Sequence, residues 1–97
     1  MLGRFPLDRL VWDDWNRAHI ARHGVEPNEV EEAVAGTTLA EPSYKGRFAL
    51  IGVTAAGRFI VSVVGAAPEQ PSVYYVFTAR PANRRERWRY ATAAGNP

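Results

Sequence analysis

The chain has no cysteine among its 97 residues, which excludes disulfide bonds and any metal site built from thiolates. Apolar runs are short. The longest, residues 59–67, is interrupted by Ser62 and Gly65 and falls well below the roughly 18 residues that a membrane span needs. The residues after Met1 lack the apolar core of a secretory signal. We therefore expect a cytoplasmic protein that does not associate with membranes.

Motifs of the common enzyme classes are also missing. The sequence has no glycine-rich nucleotide loop, no cluster of metal ligands and no nucleophile motif, which argues against a small metabolic enzyme. We expect neither a cofactor nor a metal site. Only two histidines, His19 and His23, are present. The candidates for proton transfer are these two, the carboxylates and the tyrosines.

Arginine is abundant, and the charge is unevenly distributed. Eleven of the twelve cations are arginine, Lys45 being the exception. Residues 1–43 carry four arginines and eight carboxylates, a net charge of −4, whereas residues 44–97 carry eight cations and two carboxylates, a net charge of +6. Because a guanidinium offers a planar fork of donors that fits a phosphate, the second half is a candidate polyanion site. An arginine-rich solvated surface is the alternative.

The length and composition are those of one small globular domain. A chain of 97 residues, 46% hydrophobic and 23% charged, is ordinary for a single soluble domain. We expect residues 1–97 to form that domain, with a flexible leader at 1–9 and a flexible tail at 93–97. A domain of this size has a thin core, so a bound partner would add to its stability.

The first part of the chain predicts a strand followed by a helix. Residues 10–12 have the pattern of a short strand. Asp13, with Asn16 three residues later, is typical of a helix N-terminus. Gly24 predicts the end of this helix near His23, with a left-handed residue closing the last turn.

A second helix follows the first after a short connection. Pro27 is placed to open it and Gly36 to end it. We interpret Trp12 and Trp15 as core anchors, and His19 as belonging with Trp15 to the packing face of the first helix.

From residue 37 the pattern changes to β. Strands are predicted at 48–54, 58–66 and 73–79, the first two joined by a short loop that contains Gly57. Residues 37–41 are expected to add an edge strand.

A basic helix is predicted at the C-terminal end. Asn83 and Glu86 form a capping pair that opens it. The fold class is therefore α+β: a small antiparallel meander sheet, with an N-terminal helix pair and a C-terminal helix packed on it.

Three groups of residues follow one another with the order and spacing of a known family, over residues 10–91. The first group is Trp12-Asp13, Asn16, His23-Gly24-Val25 and the acidic helical segment 29–33. The second is Ile51-Gly52-Val53-Thr54 with Gly57-Arg58. The third is Thr78-Ala79-Arg80-Pro81-Ala82 with Arg84, Glu86, Arg87 and Tyr90. Together they resemble the BrnT family, the ribonuclease toxins of type II toxin–antitoxin systems.

The resemblance implies a RelE-like fold and an endoribonuclease that needs no metal. Such a toxin cleaves RNA through attack of the ribose 2′-hydroxyl, inhibits translation and is neutralised by a ribbon-helix-helix antitoxin. It also implies a two-plus-two complex that binds promoter DNA through the antitoxin. The longer leader and the proline-flanked loop at 68–71 depart from the family's pattern.

Cleavage of this kind needs a base, cations for the phosphorane and an acid for the leaving oxygen. His23 is the first candidate for proton transfer, because imidazole accepts and donates protons near neutral pH. The alternative is that His23 complements the dipole at the end of its helix.

Two arginines at the ends of neighbouring strands are the candidate catalytic cations. Arg80 ends the last strand and Arg58 opens its neighbour, so both are expected within reach of one phosphate. If the last strand is regular, Val76, Thr78 and Arg80 share one face. An ion pair with the acidic second helix is the alternative for Arg80.

The C-terminal helix supplies most of the remaining candidates. Glu86 is a candidate catalytic carboxylate, with capping of the Asn83 backbone as the alternative. The candidate RNA contacts are Arg47, Arg84, Arg87 and Tyr90. For Tyr90 a core position is the alternative. For the whole chain the alternative is a non-catalytic RNA-binding or protein-binding module of the same fold.

Overall fold

The computed structural model of the chain describes residues 2–95. The elements, in chain order, are β1 (Leu2–Arg4), β2 (Arg9–Val11), α1 (Asp14–Ala21), α2 (Pro27–Ala35), β3 (Thr37–Pro42), β4 (Phe48–Val53), β5 (Phe59–Ala66), β6 (Val73–Pro81) and α3 (Arg84–Ala93). A single turn of 3-10 helix at Tyr44–Gly46 precedes β4. The α+β class that the sequence predicts is confirmed.

The sheet has six strands in the order β1-β3-β4-β5-β6-β2. Strands β3 to β6 pair antiparallel with their neighbours. Strand β2 pairs parallel with β6, residues 9–11 lying opposite residues 73–75. The sheet is therefore mixed, and the purely antiparallel sheet that the sequence predicts is wrong. Local patterning identifies a strand, but it carries no information on the direction of a partner about sixty residues away.

The leader takes part in the sheet. Strand β1 pairs antiparallel with β3, with Leu2 opposite Leu39 and Arg4 opposite Thr37. The Asp8 amide donates to the Ser72 carbonyl at 2.6 Å. Residues 2–4 thus form an edge strand instead of the flexible segment expected for residues 1–9. In the tail, Ala93 still belongs to α3, and residues 1, 96 and 97 lie outside the described residues.

Helix α1 begins and ends as its sequence predicts. The Asn16 amide donates to Asp13 Oδ1 at 2.9 Å, and the Asp13 amide donates to Asn16 Oδ1 at 2.8 Å. At the other end Gly24 has a φ of 71°. The Val25 amide donates to the Ile20 carbonyl at 3.2 Å, which closes the last turn.

Apolar side chains form two clusters, one on each face of the sheet. Beneath α1 and α2 lie eleven buried residues that include Ile20, Leu50 and Ile60. Beneath α3 lie Leu39, Ile51, Val61 and Ala82. Helix α2 approaches the sheet closely at Gly52, where a Cβ atom would come within 2.3 Å of the Ala33 carbonyl oxygen.

A β-bulge in β6 changes which residues share a face. Val63 lies opposite Thr78, but Val64 lies opposite Val76, so Phe77 is the additional residue. Val76 and Ala79 consequently belong to the same buried cluster although they are three residues apart. Thr78 and Arg80 lie opposite Val63 and Val61, on the face that α3 covers. The expectation that Val76 shares a face with Arg80 is wrong.

Candidate functional site

Arg80 and Glu86 form a bidentate ion pair where β6 meets α3. Arg80 Nη1 and Nη2 donate to the two Glu86 carboxylate oxygens at 2.7 and 2.6 Å. Glu86 Oε1 also accepts the Asn83 amide at 2.8 Å. The partner of Arg80 is therefore α3 and not the acidic helix α2. Glu86 caps the helix and binds Arg80 at once.

This ion pair fixes the charge of the carboxylate. The Glu86 side chain is only 9% exposed, against 42% for Arg80. The hydrogen bond from Arg80 is the largest cause that lowers the pKa of Glu86, and burial opposes it. The same hydrogen bond raises the pKa of Arg80. Glu86 is thus held as an ionised acceptor.

Arg58 lies on the opposite face of the sheet. Its Nη1 donates to the Gly24 carbonyl at 2.9 Å and to both Glu29 oxygens at 3.0 and 2.9 Å. It therefore ties the loop before β5 to the connection between α1 and α2. The expectation that Arg58 and Arg80 address one phosphate is not met, because each guanidinium is held by a helix on its own side.

Trp15 and His19 of α1 form a stripe with His23, which lies in the turn after the helix. The His19 ring stacks on Trp15 with centroids 4.8 Å apart and planes 7° apart, and it meets His23 edge to face at 5.5 Å. Trp15 is 58% exposed, because Asn16 and Ile20 occupy the buried side of the helix. The interpretation of Trp15 as a core anchor is wrong. Trp12 does pack against the core.

His19 connects this stripe to β6. Its Nε2 lies 3.1 Å from Thr78 Oγ1. Beside it, Asn16 Nδ2 donates to the Val76 carbonyl at 3.1 Å. Helix α1 thereby holds the part of β6 that follows the three residues paired with β2.

We call the side chains His23, His19, Thr78, Arg80 and Glu86 the β6 row. Only His19 of the two histidines contacts β6, and His23 joins the row through its ring contact with His19, while the neighbouring Gly24 carbonyl accepts from Arg58. Thr78 and Arg80 are two residues apart on one strand, so their Cα atoms are about 7 Å apart. Three predicted catalytic residues belong to the row. Sequence reasoning considered His19 but assigned it to the packing face, and it missed Thr78. The spacing of four residues between the histidines was a signal for a shared helix face. Nothing in the sequence pattern indicated the bulge at Phe77 or the contact of Thr78 with His19.

Arg47 lies among aromatic rings on the face of the sheet that α3 partly covers. Its guanidinium carbon is 3.4 Å from the centroid of the Phe77 ring and 4.8 Å from that of Tyr44. Stacking of this kind keeps the Arg47 guanidinium at the surface while the aliphatic part of its side chain is covered. Arg47 therefore stays a candidate RNA contact.

The other candidate RNA contacts are on α3. Arg87 Nη1 donates to the Ala82 carbonyl at 2.9 Å. Arg84 is exposed and lines a shallow depression with Arg85 and Trp88. The Tyr90 hydroxyl donates to the Thr37 carbonyl at 3.1 Å, and its ring packs on the cluster beneath α3. Tyr90 thus occupies the core position that was its alternative.

A further ion pair, which sequence reasoning missed, joins α3 to β3. Arg89 Nε and Nη2 donate to the Glu41 carboxylate at 2.9 and 3.0 Å. One cation of the basic helix is therefore matched by a carboxylate of the acidic half of the chain.

Residues 2–95 contain no group of three or more histidine, aspartate or glutamate side chains that could hold a metal ion. Over the same residues no helix is both long and apolar enough to cross a membrane. No family model, curated protein or solved structure matches the chain.

Proposed function

We propose that this chain is a metal-independent endoribonuclease of the BrnT toxin kind, with a RelE-like fold, that inhibits translation by cleaving RNA. The observation that carries the proposal is that the His19 imidazole contacts Thr78 on β6, two residues before the arginine that pairs with Glu86. The resemblance over residues 10–91 supports the same function.

The β6 row offers a base and a cation for attack of the ribose 2′-oxygen on phosphorus, and the 5′-oxygen whose bond to phosphorus breaks takes its proton from water. His23 is exposed at the end of the stripe, where an imidazole reaches a substrate and accepts the 2′-hydroxyl proton. Arg80 stabilises the charge that develops on the phosphorane. A guanidinium has five N–H donors. Arg80 uses one on each Nη for Glu86 and the other on Nη1 for the Pro81 carbonyl at 3.4 Å, so Nε–H and one Nη2–H remain for phosphate.

Glu86 and His19 serve as positioning residues in this proposal. Glu86 is an ionised carboxylate that holds the Arg80 guanidinium in one orientation. The hydrogen bond from the Asn83 amide holds the Glu86 carboxylate in place. His19 is fixed by Thr78 and packs edge to face against His23. Supporting contacts of this kind keep catalytic groups in productive geometry.

A protein antitoxin is the proposed partner. The ribbon-helix-helix type and the two-plus-two complex on promoter DNA come from the resemblance alone. The electrostatic argument is that a silent complex should cover the basic surface around Arg80 with complementary charge. We expect nanomolar binding to the product of a neighbouring gene, and Arg80 should lose accessibility in the complex.

One observation favours a second candidate, a non-catalytic RNA-binding or protein-binding module of the same fold. Both arginines predicted to bind phosphate, Arg58 and Arg80, are already paired with glutamates. Such a module binds without cleaving.

The test is to induce this chain alone in cells and to follow growth and total RNA. We expect growth to stop and RNA to be degraded, and cleavage by the purified protein should persist in EDTA. Co-expression of the neighbouring gene should restore growth, and Arg80→Ala should abolish toxicity. Uninhibited growth with intact RNA, after soluble expression is confirmed, would leave only the binding module.

A further inference from the structure

The indole of Trp15 is covered on one side only. Its inner face stacks on the His19 imidazole at 4.8 Å, yet 58% of the residue is exposed. Tryptophan is among the most apolar side chains and is usually well buried, so an open indole that is held against a second ring is a candidate binding surface. The outer face of the indole is available to one more flat ring.

The turn of α1 that carries Trp15 is held rigidly. The adjacent Asn16 is fully buried, and its Nδ2 donates to the carbonyls of Val11 and Val76 at 2.9 and 3.1 Å. His19 is fixed by Thr78. The stacked pair is therefore preorganised, and little side-chain entropy is lost when a ligand stacks on it.

The charges around the stripe favour a polyanion on one side. Arg22 lies three residues after His19, and within residues 2–95 it forms no salt bridge. Arg80 lies further along the β6 row. Asp14, which precedes Trp15, repels phosphate at the other end of the helix. A strand stacked on Trp15 should therefore run past His19 toward the two arginines.

We infer that Trp15 and His19 form a stacking platform for one unpaired base of a single-stranded nucleic acid, next to the β6 row. A flat aromatic surface beside cations is how proteins bind single strands without sequence preference, whereas a base in a duplex has no free face. The identification of the strand as the RNA substrate rests on the proposed function. If that identification holds, the substrate is RNA with at least one unpaired base, because only such a base can stack on Trp15.

The experiment measures the affinity of the full chain for a labelled 2′-O-methyl oligonucleotide by fluorescence anisotropy. The blocked 2′-hydroxyl prevents cleavage, so binding is measured alone. We expect Trp15→Ala to weaken binding by about tenfold, and Trp15→Phe by less than about threefold, since a phenyl ring still stacks. The matched control is Trp15→Leu, which keeps an apolar side chain but has no ring and should lose as much affinity as Trp15→Ala. A duplex of the same sequence should bind more weakly and be insensitive to Trp15.

Several results would overturn the platform. The first is absence of oligonucleotide binding by the wild type, and the second is equal affinity of Trp15→Ala and wild type. The others are Trp15→Leu binding as tightly as Trp15→Phe, and an equal loss of affinity for the duplex when Trp15 is replaced. If Trp15→Ala binds the oligonucleotide normally but loses affinity for the antitoxin, the open indole is a protein contact instead. If the wild type fails to cleave RNA yet binds through Trp15, the platform stands and the ribonuclease proposal fails.

Discussion

Two arginine–glutamate pairs lie on opposite faces of the same sheet, and they differ in what they leave free. In the pair beneath α2, Arg58 Nη1 contacts both Glu29 oxygens and the Gly24 carbonyl. In the pair beside α3, Arg80 uses two nitrogens for the two Glu86 oxygens. Glu29 is 20% exposed and Glu86 only 9%.

From this difference we propose a structural role for Arg58 and a functional one for Arg80. Arg58 joins the loop before β5 to Gly24, in the connection between α1 and α2, and to Glu29 of α2. These contacts explain how α2 and its preceding connection pack against that loop. Arg80 belongs to the β6 row beside His19 and Thr78, and its partner is a carboxylate already fixed by a helix cap. The same two residue types in the sequence thus serve different purposes, which only their surroundings reveal.

The largest effect is expected on catalysis, and it should distinguish the two arginines. Arg80→Lys keeps a charge but loses the planar fork, so we expect cleavage of an RNA oligonucleotide to fall by more than tenfold, or about 1.4 kcal/mol of barrier. Arg80→Ala should be still less active. The matched control, Arg58→Lys, should lower kcat/KM by less than about threefold, about 0.7 kcal/mol.

Thermal unfolding decides whether such a loss is catalytic. The melting temperature of Arg80→Lys should move by only a few degrees, because the lysine still neutralises Glu86. Full activity of Arg80→Lys, or activity that declines in step with stability, would remove Arg80 from the site and direct attention to the arginines of α3.

The next effect is on the free energy of unfolding. Arg80→Ala leaves the nearly buried Glu86 carboxylate without its cation, which should cost about 1–3 kcal/mol. Arg58→Ala should cost about 1 kcal/mol or less, because water reaches Glu29 more easily. Urea denaturation measures both, and adding Glu86→Gln to Arg80→Ala should recover part of the loss. Equal costs at the two positions would contradict the distinction between the pairs.

Acid should weaken both pairs, and the Arg80–Glu86 pair more. The pKa of Glu86 is lowered from its ordinary value of 4.5, chiefly by Arg80, and that of Glu29 chiefly by the backbone hydrogen bond from Glu26. A carboxylate with a lowered pKa in the folded state stabilises the fold above pH 4.5, and this contribution is lost as the pH falls below 4.5.

The corresponding measurement is the free energy of unfolding as a function of pH, from 6 down to about 3. We expect Glu86→Gln to flatten the decline more than Glu29→Gln does, because Glu86 is the more buried carboxylate. Identical slopes for Glu86→Gln and wild type would show that the Glu86 carboxylate contributes nothing in this range.

The smallest effect is expected at the third pair. Arg89 and Glu41 lie at the surface, where an ion pair contributes about 1 kcal/mol or less. Arg89→Ala should therefore change the free energy of unfolding by no more than that and should leave RNA cleavage unchanged. A large loss of RNA cleavage by Arg89→Ala, with normal stability, would contradict this expectation and would show that the site extends along α3.

The sequence predicted the elements whose signals are local. The reciprocal cap of Asp13 and Asn16, the left-handed Gly24 and the Asn83–Glu86 cap are all confirmed. Each depends on residues within one or two turns of the chain, so the printed sequence contains the whole interaction.

The predictions that were wrong depend on contacts between residues far apart in the sequence. The direction of β2 and the pairing of β1 are decided by partners far along the chain. The exposure of Trp15 is decided by which side of α1 meets the sheet, and the buried side belongs to Asn16 and Ile20. At the site, Arg80 and Glu86 were predictable as residue types, but the bulge at Phe77 and the contact between Thr78 and His19 were not.

The most direct test of the account is cleavage of a single-stranded RNA oligonucleotide by the purified chain in EDTA, beside a copy with a 2′-deoxy sugar at the cleaved position. We expect the RNA to be cut, leaving a 2′,3′-cyclic phosphate, and the deoxy copy to resist cleavage at that position. Failure to cut the RNA, cleavage that requires a divalent metal, or equal cleavage of the deoxy copy would contradict the proposed mechanism.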